Sequence, residues 1–170
     1  VESYSNTIFT MPVKMVNKGE IVGFQCDIVV PDGISITTTN NRFDITLAGR
    51  ESETHEIMTQ KQPDGSIRVL VYSAYNEAFT GTEGALFNIN LNVGDVNGSY
   101  EIIIKNIYLS SITTEIPVPN AVASIGVIKY RKGDANGDGR LSIVDLTSTA
   151  QYIMGIIPAT FVFSSADIND

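Results

Sequence analysis

Phe87-Asn88-Ile89-Asn90-Leu91-Asn92-Val93 alternates apolar and amide side chains without a break. In an extended strand successive side chains point to opposite faces, so this period of two sends one face into a core and the other into water. The same reading applies upstream. Phe9, Met11, Val13 and Met15 alternate with Thr10, Pro12 and Lys14, and Phe24, Cys26, Ile28 and Val30 are interleaved with Gln25 and Asp27. By that count Cys26 points inward and reads as a small core residue rather than a nucleophile.

Further strands are expected at 33–38, 42–47, 56–60, 66–74, 100–109 and 122–130. Pro31-Asp32-Gly33, Pro63-Asp64-Gly65 and Asn97-Gly98 are turn signals between them, the second suggesting a hairpin. Gly94-Asp95-Val96-Asn97-Gly98-Ser99 also lies between two strong strands and is expected to be a hairpin turn. About nine short strands without helical periodicity predict an antiparallel β-sandwich over residues 1–130.

Composition narrows the function. The 170 residues carry 19 acids against 11 bases, a net charge of −8. That argues against nucleic acid or an anionic membrane as partner and suits cation binding. No apolar run approaches the ~18 residues of a membrane helix. The chain opens on Val1 without a signal-like segment, as expected of a mature or trimmed form. Cys26 is the only cysteine, so no internal disulfide can form. His55 is the only histidine and is expected at the surface; a zinc site or a His-based triad would need more support than this one residue.

Gly133-Asp134-Ala135-Asn136-Gly137-Asp138-Gly139-Arg140-Leu141-Ser142-Ile143-Val144-Asp145 has a different logic. Counted from Asp134, oxygen-bearing side chains fall at positions one, three, five, nine and twelve: Asp134, Asn136, Asp138, Ser142 and Asp145. Gly139 takes position six and the Arg140 carbonyl position seven. This is the spacing of an EF-hand-type loop that surrounds Ca²⁺ with oxygens. An Asn/Asp/Gly surface turn would explain any two of these residues, but not the whole set. The usual closing Glu is here Asp145. A helix is expected from Ser142 to Met154, ended by Gly155 and Pro158.

The loop and the Ser-x-x-Asp-Leu that follows resemble the type I dockerin repeat of cellulosome-type secreted bacterial proteins. That resemblance implies a first repeat over 134–157. Ala166-Asp167-Ile168-Asn169-Asp170 resembles the opening of a second, incomplete repeat from 167, which lacks the acids for another full site. It also implies partner contacts at Ile143, Val144, Ala150 and Gln151. Val22–Ile34 (V-G-F-Q-C-D-I-V-V-P-D-G-I), Asp64–Ser73 and Gly84–Val93 resemble the cohesin-like modules of secreted Bacteroidetes-type proteins, which implies a nine-stranded jelly-roll.

Together the two resemblances imply a secreted or cell-surface scaffolding module with a structural calcium site. Its partner would be a cohesin- or dockerin-bearing protein, within a polysaccharide-degrading or cell-surface assembly. The alternative is a carbohydrate-binding module, against which stand the absence of Trp and the scatter of the seven Tyr. No G-x-S-x-G, H-E-x-x-H or phosphate loop is present, so no catalytic role is expected. Only Arg131, Lys132 and Gly133 join the two parts, and Ile156, Ile157, Phe161, Val162 and Phe163 add apolar surface beyond what one helix hides. The tail (131–170) is therefore expected to dock on the sandwich, or on a second copy, through some of Leu146, Ile153, Phe161 and Phe163.

Overall fold

The structure is a computed structural model, and it describes residues 2–129 and 131–166, the side chain of Ser164 apart. The second dockerin-like repeat expected from 167 lies outside the described residues. The strands in chain order are β1 (Glu2–Tyr4), β2 (Thr7–Val16), β3 (Gly23–Val29), β4 (Ile34–Ile36), β5 (Thr38–Thr39), β6 (Arg42–Phe43) and β7 (Ile45–Leu47). They continue as β8 (His55–Lys61), β9 (Ile67–Ser73), β10 (Glu83–Val93), β11 (Gly98–Ser110), β12 (Glu115–Val118) and β13 (Ala121–Ile128). Two helices follow, α1 (Ile143–Ile153) and the short α2 (Phe163–Ala166).

Two sheets enclose the core. A seven-stranded sheet runs β1-β13-β11-β3-β9-β8, with β12 beside β11, and a four-stranded sheet runs β2-β10-β4, with β7 beside β10. The alternating strands behave as the pattern requires. Phe87, Ile89, Leu91 and Val93 are fully buried, as are Cys26 and Ile28 opposite them. Phe24 meets Phe87 across the interior at 5.7 Å between ring centroids.

The fold departs from expectation in four places. Thirteen strand segments are present among the described residues rather than nine, because the runs at 33–38 and 42–47 each break in two and two strands not expected from the sequence, β1 and β12, are added. Asn40 and Asn41 both adopt positive φ, 52° and 60°, which makes a two-residue hairpin turn between β5 and β6. The pairing is not wholly antiparallel, since β1 runs parallel to β13. The Gly94–Ser99 turn is not a hairpin, because β10 and β11 belong to different sheets and the chain crosses between them there. Gly33, at φ 84°, packs against this crossing so closely that an added Cβ would stand 2.4 Å from Val96 Cγ1. Finally, His55 is buried, not surface. It stacks on Phe79 at 4.3 Å, and its Nδ1 accepts the Ser52 N–H at 3.0 Å.

Candidate metal loop and contact surfaces

Asp134 and Asp145, the first and last acids of the loop, are both buried. Asp134 Oδ1 accepts from the N–H groups of Gly137 (2.8 Å) and Asp138 (3.1 Å), and Oδ2 from that of Gly139 (2.8 Å). Gly137 and Gly139 have φ of 73° and 82°, the left-handed turn that lets three successive amides converge on one carboxylate. Asn136 Oδ1 accepts the Asp138 N–H at 2.9 Å, while its Nδ2 donates to Asp138 Oδ2 at 3.0 Å. Asp138 Oδ1 takes the Arg140 N–H at 2.8 Å.

Asp145 closes the loop and opens the helix at once. Ser142 is the N-cap: its Oγ accepts the Val144 N–H at 3.2 Å, and its own N–H donates to Asp145 Oδ2 at 2.6 Å. The Asn136 N–H reaches Asp145 Oδ1 at 3.3 Å. Burial opposes ionisation of this carboxyl, but the amides of Ser142 and Asn136 outweigh it and hold its pKa below the ordinary value.

These oxygens are hard donors, and a carboxylate oxygen with one or two N–H partners keeps lone-pair capacity for a hard cation. Among the described residues no group of three or more His, Cys, Asp and Glu side chains is arranged to hold a metal. A site here would thus draw also on Asn136, Ser142 and the Arg140 carbonyl. The back of the loop is covered by the returning chain: Val162 N–H donates to Ala135 O at 2.8 Å, and Gly133 N–H to Ser165 O at 2.5 Å.

The helix matches the expected span, but its contacts do not match the expected docking. Leu146, Ile153 and Phe163 remain 64%, 78% and 61% exposed. Phe161 is half-buried, stacked on Tyr152 at 4.3 Å. The tail meets the sandwich through its loop instead. A Cβ on Gly139 would stand 3.9 Å from Ser5 O, and the Arg131 guanidinium lies 5.5 Å from the centre of the Tyr4 ring. A three-residue junction holds the loop at the sandwich and carries the helix away from it. Ile143 and Val144 are exposed, as is Ala150, while Gln151 is half-buried.

A second surface was not evident from the sequence. Cross-strand register lines up Met58, Leu70, Gln25, Tyr108 and Pro117 across five strands on the outside of the seven-stranded sheet. The adjacent row is Gln60, Arg68, Asp27 and Lys105. A break in register between Lys105 and Tyr108, with Asn106 at φ 50°, aims Asn106 Nδ2 at Asp27 Oδ2, 2.8 Å away. The signal that could have revealed this row is Asp27, an acid at an outward position of a strand whose inward residues are all apolar.

No protein-family model matches the chain, and no curated protein matches it. Solved structures do. A non-cellulosomal cohesin from the archaeon Archaeoglobus fulgidus superposes with a TM-score of 0.59 at 14% identity, over 75% of this chain and 85% of that one. A cohesin module of a Clostridium perfringens family 33 glycoside hydrolase gives 0.61 at 10% identity, over 74% and 89%. A structure of a type I cohesin–dockerin complex from Clostridium thermocellum gives 0.60 at 18% identity, over 75% and 94%. The chain is thus a β-sandwich with a cohesin-like fold. Among the described residues no helix is long and apolar enough to cross a membrane.

Proposed function

We propose that this chain is a non-catalytic, extracellular protein–protein interaction module, a cohesin-like sandwich followed by a dockerin-like segment ordered by calcium. One observation carries the reading: the sandwich shares its fold with modules solved in complex with dockerins. The row from Met58 to Tyr108 supplies a face for a dockerin-bearing partner. Exposed Ile143 and Val144, with Ala150 and Gln151 about two turns on, supply a face for a cohesin-bearing one.

Calcium in this reading is structural. Side-chain oxygens of Asp134, Asn136, Asp138 and Asp145 hold it, with the Arg140 carbonyl and Ser142 or a water, and it offsets the repulsion of three acids. The cohesin fold of a module within a glycoside hydrolase supports a setting in a polysaccharide-degrading or cell-surface assembly.

The test is capture from the secreted proteins of the source organism, with calcium and with EDTA, using the native chain beside Leu70→Asp and Ile143→Asp. The proposal expects captured proteins that carry a dockerin or cohesin module, each lost in one variant. Captured proteins with neither module, or capture that both variants leave unchanged, would overturn it.

A further inference from the structure

The outer face of the seven-stranded sheet carries an acidic pocket beside an apolar row. Glu56, Tyr72, Gly23, Ser110 and Glu115 line up across five strands, all pointing outward. The row of Met58, Leu70, Gln25 and Tyr108 lies two residues along the strands, about 7 Å away. Gly23 has no side chain, which opens a gap between Tyr72 and Ser110. The gap belongs to a pocket of about 320 Å³ that includes Tyr108 and has Glu115 as its one charged residue. Beyond Tyr72 stands a second acid, Glu56, which accepts the Tyr72 hydroxyl at 2.9 Å.

The tail presents the opposite set. Of its exposed charged residues between 131 and 163, Arg131, Lys132 and Arg140 are bases and only Asp138 is an acid. Asp138 is engaged by Asn136 Nδ2 and by the Arg140 N–H. The Arg140 guanidinium has no ion-pair partner among the described residues. Three residues on, Ile143 and Val144 are exposed. A guanidinium pairs with carboxylates and stacks on aromatic rings, so a pocket with tyrosine walls and one acid suits it. Exposed Met58 and Leu70 in the adjoining row suit the two aliphatic side chains.

These surfaces cannot meet within one molecule. The loop sits against Ser5 and Asn6, where the Asn6 N–H donates to Gly94 O, near the Gly98 end of β11. The pocket is at the Ser110 end, thirteen residues or about 40 Å along that strand. Arg140 and Ile143, in the loop and the first turn of α1, are held at the far end.

We propose that the tail of one copy docks on the sheet of the next, with Arg140 in the Gly23 pocket against Glu115. Ile143 and Val144 then cover Met58 and Leu70. This rests on the interaction-module reading and names a second copy of the chain as a partner. The contact is heterologous: each bound pair keeps one free tail and one free sheet, so copies add head to tail.

The purified full chain in calcium-containing buffer is followed by sedimentation as its concentration rises. Its mean mass should climb past that of a dimer. Leu70→Asp and Ile143→Asp should each stay monomeric; mixed, they should give a dimer and nothing larger, since one intact interface remains. Arg140→Glu and Glu115→Arg should each stay monomeric; mixed, they should assemble like the native chain, because every tail then meets an opposite charge. A native chain that stays monomeric, or one that stops at a dimer by symmetric pairing of tails, would overturn the inference, as would failure of both mixtures to assemble. A monomer that still captures dockerin- or cohesin-bearing proteins through Leu70 or Ile143 sinks this inference alone. Self-assembly beside captured proteins that carry neither module sinks only the broader reading.

Discussion

Asp27 on β3 receives two nitrogens of the Arg68 guanidinium from β9, Nε at 2.7 Å and Nη2 at 2.9 Å, with only 2% of Asp27 exposed. The forked geometry satisfies both carboxylate oxygens, and Asn106 adds a third donor. Arg68→Ala leaves a buried carboxylate short of its cation and should cost about 2–3 kcal/mol, at or below the bottom of the buried-pair range because Arg68 is partly open to water. Lys105→Ala breaks only the more exposed pair to Asp64, expected to be worth less than about 1 kcal/mol. Urea midpoints of the two variants check the contrast.

Acid should reach this pair only below the ordinary carboxylate range. Arg68 and Asn106, against the cost of burial, hold the Asp27 pKa below its ordinary value. A depressed carboxyl adds stability above its unfolded pKa, about 3.9, and loses it as pH falls through the folded value. In Asp27→Asn this part of the acid dependence should be missing from denaturation curves taken between neutral pH and pH 2.

His55 works in the opposite part of the scale. Burial lowers its pKa below 6.5, although Glu77 and Glu51 pull it back in part. Below pH 6.5 the unfolded chain therefore takes up the proton first, and stability falls until the folded pKa is reached. As the only histidine it gives a single imidazole signal, so an NMR titration reads its pKa directly. A midpoint at or above 6.5 would contradict the buried placement.

Calcium should act on the tail alone. Its stabilisation follows RT ln(1 + [L]/Kd), so amide exchange of α1 should slow as free calcium rises, while β3 and β10 stay unchanged. Asp145→Ala should remove the response and also weaken the helix start by about 1 kcal/mol, because the same side chain caps it. Hydrogen exchange with and without EDTA separates the two effects.

Core and surface leucines should differ sharply. Leu91 is fully buried, and Leu91→Ala should cost about 2–5 kcal/mol through lost burial and the cavity left behind. Leu146→Ala, on the open helix, should change stability by no more than about 0.5 kcal/mol. Thermal melts of both suffice.

The strands that mattered most were legible because burying one face of a sheet forces a period of two, as along Phe87–Val93. The caps of α1 were equally legible, since Ser142, Asp145 and Gly155 satisfy orphan backbone groups by local geometry. What failed depended on long-range placement. Apolar content showed that residues 146–163 carry much greasy surface, but not which surface it meets. One count along β8 could not tell that the 52–54 turn and Phe79 would enclose His55. The Asp27–Arg68 pair needed a register that only the assembled sheet defines.

The parallel pairing of β1 with β13 has a mechanical consequence. Glu2, Ser3 and Tyr4 lie beside Gly126, Val127 and Ile128, and Ser5 N–H and Oγ donate to the carbonyls of Ile128 (3.0 Å) and Lys129 (2.8 Å). A pull between residues 2 and 129 draws two parallel strands past each other, so these bonds bear the load together, in shear. The antiparallel β8–β9 hairpin, drawn apart at its open end, would instead give way one rung at a time.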